Sequence, residues 1–271
     1  MRRATPRARI AAAIAALACA LGLIVAAPLA GTLAVADDAP SRLDADGSAV
    51  PPRPSGWVAQ IGTYDYLVQP DYDGLAPVRA AMGASKSDRP TIGLGTFDRL
   101  NGELVMVGGT VYRVGTDGAP RAVPISRSTP FFEAVRFTPQ ASMRVPAGTQ
   151  CSALVPMIDE LAATSGGMVA VRMNGTFANL TARSVPAQSQ PYPPLADVVA
   201  AQTVFPLEQV RATLVGFRTG SDLLGVGAPG LHLHGLTRSR DAGGHILSCT
   251  TGDDVRLTIQ RTRGVRLVAA P

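Results

Sequence analysis

The sequence predicts a mixed α/β chain of the α+β class, built on two β-sheet subdomains with short helices between the strands. Three observations predict it. Short apolar runs recur between Gly, Asn-Gly and Asp-Gly breaks, as strands and tight turns require. Helical periodicity is clear over one longer stretch only, Cys151 to Ala163. No self-similarity at a period of roughly 20–50 residues suggests a repeat architecture. With 271 residues, 46% hydrophobic and 17% charged, the chain can bury a sizeable core and is far from a disordered composition.

The first segment is a leader. Arg2, Arg3, Arg7 and Arg9 precede an apolar run from Ile10 to Val35, and Ala34-Val35-Ala36 comes just before Asp37. Small residues at the first and third of those positions suit signal peptidase, so residues 1–36 read as a secretory signal and the mature protein as exported, to the periplasm or beyond. A retained anchor is the alternative, because the run is long enough to span a bilayer. The formal charge of +5 belongs to this leader: without it, 21 of the 25 basic side chains face all 20 acidic ones. Neither a nucleic-acid partner nor, after cleavage, a membrane partner is expected.

Residues 37–56, with Pro51-Pro52-Arg53-Pro54, read as a flexible linker. An N-terminal mixed-sheet subdomain is expected over 57–145. Thr91 to Phe97 forms a strand, Asn101-Gly102 a two-residue hairpin turn, and Glu103 to Val107 the returning strand. Gly108-Gly109 and Asp117-Gly118 punctuate two more strands, and a helix interrupts around Leu75 to Met82. A mostly antiparallel C-terminal subdomain is expected over 146–271. Its helix, Cys151 to Ala163, is ended by Gly166-Gly167. Met168 to Met173 and Phe177 to Arg183 flank Asn174-Gly175, a second hairpin signal. A short helix near Leu195 to Gln202 precedes a strand from Val210 to Phe217. Strands then occupy Gly230 to Ile259, with turns at Ser239 to Gly244 and Gly252-Asp253. Beyond the leader two cysteines remain, Cys151 and Cys249; a disulfide and two buried thiols both suit an exported chain at this spacing.

All three histidines of the chain fall within Gly230 to His245. His232 and His234 are two apart, so on a strand they share a face about 7 Å apart, with Leu231 and Leu233 on the other. If Ser239 to Gly244 closes a hairpin, His245 lands close to the cross-strand partner of His234, about 5 Å away at Cβ. Three converging neutral imidazoles with an open fourth position form the pattern of catalytic zinc. No Cys or Met joins the motif, which favours zinc over copper or iron, although imidazole suits those as well. A single histidine would more simply be an ordinary core or surface residue; the clustering with strand parity argues for the metal. Glu103, Thr96 and Arg183 carry no such signal; by position alone Glu103 reads as an ordinary surface residue and Arg183 as a surface charge or a salt-bridge partner.

Several separated motifs resemble those of the α-acetolactate decarboxylase family. They are Gly93-Leu94-Gly95-Thr96-Phe97-Asp98 followed by Asn101-Gly102-Glu103-Leu104, then Arg183 through Gln190-Pro191-Tyr192-Pro193-Pro194-Leu195, then Gly216-Phe217, and finally Pro229-Gly230-Leu231-His232-Leu233-His234 with Gly243-Gly244-His245. The resemblance runs from about Trp57 to Ile259. It implies a two-domain fold with zinc between the domains, usually in a homodimer, and conversion of (S)-2-acetolactate, a small 2-hydroxy-3-oxo acid, to (R)-acetoin and carbon dioxide. It assigns the zinc to His232, His234 and His245, catalytic roles to Glu103 and Arg183, and substrate contacts to Thr96 and Arg183. The family draws a second active-site glutamate from a C-terminal extension; no acidic residue follows Asp254 here, so that carboxylate is expected to be missing. Other readings share the metal pattern. An isomerase of the same substrate class would use the same chelate, a cupin would place a glutamate shortly after His234, and an exported zinc- or ligand-binding protein would need no turnover.

Overall fold

The computed structural model describes residues 51–270; the leader and most of the linker lie outside the described residues. In chain order the elements are β1 (Val58–Ile61), α1 (Tyr64–Val68), β2 (Ala76–Pro77), β3 (Ile92–Thr96), β4 (Glu103–Val107), β5 (Thr110–Val114), β6 (Pro120–Ala122), β7 (Ser128–Thr129), β8 (Phe132–Val135) and β9 (Ala141–Arg144). Then come α2 (Leu154–Ala162), β10 (Met168–Ser184), α3 (Leu195–Ala200), β11 (Thr203–Thr219), β12 (Gly230–Thr237), β13 (Gly243–Thr251), β14 (Arg256–Arg261) and β15 (Val265–Ala269). Strands dominate and the helices are short, the class that the sequence predicts. No helix among the described residues is long and apolar enough to cross a membrane.

One sheet has the order β15-β1-β8-β3-β4-β5-β6. It is antiparallel except where β15 pairs parallel to β1. The other sheet, β11-β12-β13-β10-β14-β9, is antiparallel and gains a further pairing of β10 with β11. Period-two alternation explains how one strand serves two cores. On β10, Val169, Val171 and Met173 pack with Leu154 and Ile158 of α2. Met168 and Ala170 turn the other way, into a cluster with Leu94, Val105, Phe131, Val215 and Phe217 that joins the two sheets. A third cluster, including Leu104, Met106 and Phe132, fills the opposite face of the first sheet.

Three local expectations are corrected. Asn174-Gly175 is not a turn: β10 passes straight through it, pairing with β11 at Asn174↔Thr213 and Gly175↔Ala212. The glycine serves close approach instead, since a Cβ there would lie 2.6 Å from the Val255 backbone, and its φ of +153° suits glycine. The β3–β4 connection is not a two-residue turn, because Thr96 pairs directly with Glu103 and the chain loops from Phe97 to Gly102. That loop is held from outside the hairpin: Arg99 N–H donates to the Tyr72 carbonyl and Gln188 N–H to the Arg99 carbonyl. The helix expected around Leu75 to Met82 is a β2 segment and one 3-10 turn, Val78–Ala81. Pro77 holds its predecessor extended there.

The helix read over Cys151 to Ala163 forms as a 3-10 turn, Cys151–Ala153, running into α2. Its first residue is tied by a disulfide to Cys249 on β13, with Cα atoms 5.1 Å apart, which decides between the two cysteine states the spacing allowed.

Candidate metal centre

Three strands deliver one polar row. His234 on β12 is the cross-strand partner of His245 on β13, and His245 is in turn the partner of Arg183 on β10. Parity places His232 on the same face, one period along β12. The strands come this close because of two glycines. A Cβ on Gly216 would sit 1.9 Å from the His232 carbonyl, and one on Gly244 2.3 Å from that of Arg183. At Gly244 the φ of +138° also suits only glycine.

The ring nitrogens converge. His245 Nδ1 lies 3.1 Å from His232 Nε2 and 3.3 Å from His234 Nε2, and the potential ligand atoms all fall within 4.8 Å of one another. His234 Nδ1–H donates to the Leu104 carbonyl at 2.8 Å, which fixes that ring's tautomer and turns its Nε2 lone pair into the cluster. Loss of hydration, with Arg183 adding to it, lowers His232 to about 3. The same desolvation, with the neighbouring imidazoles and Arg183, holds His234 and His245 well below the usual histidine range. Three neutral imidazoles whose lone pairs face one small space are a donor set for a transition metal, which needs deprotonated ligands. The described residues therefore fit such an ion.

Across from the histidines stands the first sheet. Glu103, opening β4, is only 4% exposed, and its Oε2 lies 3.5 Å from His234 Nε2. Arg183 Nη1–H donates to Glu103 Oε1 at 3.0 Å, and the two side chains are 15% and 6% exposed. The surface position that sequence alone suggested for Glu103 is thus corrected, and of the two readings open for Arg183 the salt-bridge partner is the one found; each is covered by an element distant in sequence. Burial pushes the Glu103 carboxyl up to about 7, against the opposite pull of Arg183. Arg183 Nε is buried without a partner. Thr96, the cross-strand partner of Glu103, donates its hydroxyl to the Gly102 carbonyl at 2.9 Å.

These groups line one cavity of about 320 Å³, with Thr96, Glu103, Arg183 and the three histidines at its polar end. Its apolar wall includes Leu67 of α1, Phe131, Leu195 and Val199 of α3, and Leu231. Leu231 is a correction: expected on the face of β12 away from His232 and His234, it reaches the rim of the same cavity. Leu195 stood in a family motif, but Leu67, Phe131 and Val199 gave no signal in the sequence, since an isolated apolar residue does not show what it faces. The segment leading into α3 is braced by Tyr72, whose hydroxyl donates to the Pro193 carbonyl at 2.8 Å. Phe131 also stacks on His232, with ring centroids 6.5 Å apart.

Residues 58–270 match the family model described as alpha-acetolactate decarboxylase. The chain is 40% identical over 191 residues to an alpha-acetolactate decarboxylase of Methanosarcina mazei, covering 69% of this chain and 64% of that relative's length. It is 30% identical to the Brevibacillus brevis protein of the same name, covering 87% of this chain and 81% of the relative. A crystal structure of alpha-acetolactate decarboxylase from Bacillus subtilis superposes with a TM-score of 0.72 at 28% identity, over 79% of this chain and 89% of that one.

Proposed function

The chain belongs to the alpha-acetolactate decarboxylase family, and on that premise we propose that it converts (S)-2-acetolactate to (R)-acetoin and carbon dioxide, with zinc held by His232, His234 and His245. The observation that carries this reading is the convergence of three neutral imidazoles beside a buried, paired Glu103 and Arg183 at the end of one cavity.

Bound there, zinc supplies Lewis acidity toward the adjacent hydroxyl and ketone oxygens of a 2-hydroxy-3-oxo acid. The rest falls to the protein. Arg183 brings a fixed positive charge, which counters the substrate carboxylate and then the negative charge left when carbon dioxide departs. The electron pair of the broken carbon–carbon bond passes into the neighbouring carbonyl, giving an enediolate, and one proton must reach carbon from one face. Glu103 is the candidate for that proton: its carboxyl, near 7, can hold and release it close to neutrality. Thr96, its hydroxyl hydrogen committed to Gly102, offers oxygen lone pairs to a substrate hydroxyl. The wall of Leu67, Phe131 and Leu231 keeps water from the intermediate and seats the methyl groups.

The same proposal places the enzyme outside the cytoplasm, which the Cys151–Cys249 disulfide supports. The test is acetoin formation from racemic acetolactate, with chiral separation of the product, before and after chelation and zinc return. Zinc-dependent formation of one acetoin enantiomer is expected. A folded, zinc-loaded protein that makes no acetoin would overturn the assignment.

A further inference from the structure

A second group of buried oxygens lies outside the metal centre. Glu133 on β8 is 0% exposed, and neither of its carboxylate oxygens has a hydrogen-bond partner. Directly across the β1–β8 ladder stands Gln60, also fully buried. Its Nε2 donates to the Gly62 and Val226 carbonyls at 2.9 and 2.6 Å, while its Oε1 has no partner. Thr219, ending β11 and 5% exposed, has an equally unpartnered Oγ1. Gly227 packs against two of these groups: a Cβ there would lie 2.7 Å from the Met168 methyl carbon, 2.8 Å from Thr219 Oγ1 and 3.0 Å from Glu133 Oε1, so that these two oxygens meet at the same glycine.

Unpartnered buried oxygens are costly, and a buried carboxylate without a counter-charge more so. Burial alone acts on the Glu133 carboxyl, raising it to about 8, with no basic side chain pulling it back. The donors are all oxygen, one formally anionic and two neutral, a hard set whose charge one monovalent cation balances. A monovalent ion would neutralise it, whereas a divalent ion would leave an excess charge in a low-dielectric interior. We propose that Glu133, Gln60 and Thr219 form a second binding site, which takes a sodium or potassium ion in exchange for the Glu133 proton. The proton leaves to solvent as the ion enters, so charge is conserved. The ion would brace the turn at Val226-Gly227, just ahead of Ala228 and Pro229 in the cavity wall and of the strand that carries His232.

Thermal unfolding of the zinc-loaded protein at about pH 8.5, in sodium, potassium or choline chloride at equal ionic strength, tests this. Sodium or potassium should raise Tm by several degrees over choline, saturating with concentration, and the better ion identifies the occupant. Glu133→Gln should abolish the difference. Thr219→Val, which keeps the shape and removes one oxygen, should shift the midpoint to roughly tenfold higher salt. Equal Tm in the three salts, or a full salt response in Glu133→Gln, would overturn the site. Rubidium-soaked crystals give a readout that is independent of stability. Where potassium is the better ion, an anomalous peak among Glu133, Gln60 and Thr219 is expected, and its absence at saturating rubidium contradicts the proposal.

Discussion

Arg183 stands directly across the β10–β13 ladder from His245 and donates to Glu103 Oε1 at 3.0 Å, so one guanidinium ties the histidine strands to the opposite sheet. Its Nε is left buried and unpartnered beside the cavity. The residue is thus held by one carboxylate while it keeps donors in reserve for another, which is what recognition of an acidic substrate requires.

Replacing Arg183 by Lys keeps the charge and loses the planar fork. We expect kcat/KM for acetolactate to fall by roughly 10²-fold while zinc content stays at the wild-type level. Steady-state acetoin assays with metal analysis check it, and unchanged kinetics would remove Arg183 from the site.

Glu103→Gln keeps the shape and removes the titrating proton. Turnover should drop by about 10²-fold or more while the protein remains folded and loaded with metal. If the residue instead orients the intermediate, the enantiomeric purity of the acetoin should fall with the rate. A variant that keeps both rate and purity would show that Glu103 is a bystander.

The disulfide joins positions 98 apart in sequence, linking the 3-10 turn ahead of α2 to the strand carrying His245. The double variant Cys151→Ala/Cys249→Ala should lose ~2–4 kcal/mol of stability in denaturant titrations. Its activity at low temperature should survive, because neither sulfur lines the catalytic cavity.

Glu133 sets a pH dependence whose sign follows from its raised carboxyl. The folded state holds the proton until about 8, against 4.5 for the unpaired group. Its stabilising influence is therefore complete below about 4.5, declines as pH rises and is gone above about 8. In choline buffers, Glu133→Gln should gain on the wild type by at most about 1.4 kcal/mol per pH unit across that window. Parallel stability curves for the two proteins would contradict this.

The histidine cluster was legible in the sequence because strand parity and a short turn are local: the meeting of His232, His234 and His245 needed no distant information. Glu103 and Arg183 were legible only by resemblance, since their burial comes from the meeting of two sheets 80 positions apart in the chain. Asn174-Gly175 carried the same local signature as a genuine turn, and the approach of Val255 decided otherwise. Glu133 gave no sign at all. A carboxylate in a short strand ordinarily faces water, and only the packing of Gln60, Thr219 and Gly227 around it reverses that.

Metal analysis of the purified protein decides whether the three histidines hold a catalytic metal. Wild type should carry one zinc per chain. His232→Ala, His234→Ala and His245→Ala, each shown to be folded, should lose that zinc together with acetoin formation. A folded variant at any of the three positions that retained stoichiometric zinc would contradict the ligand assignment.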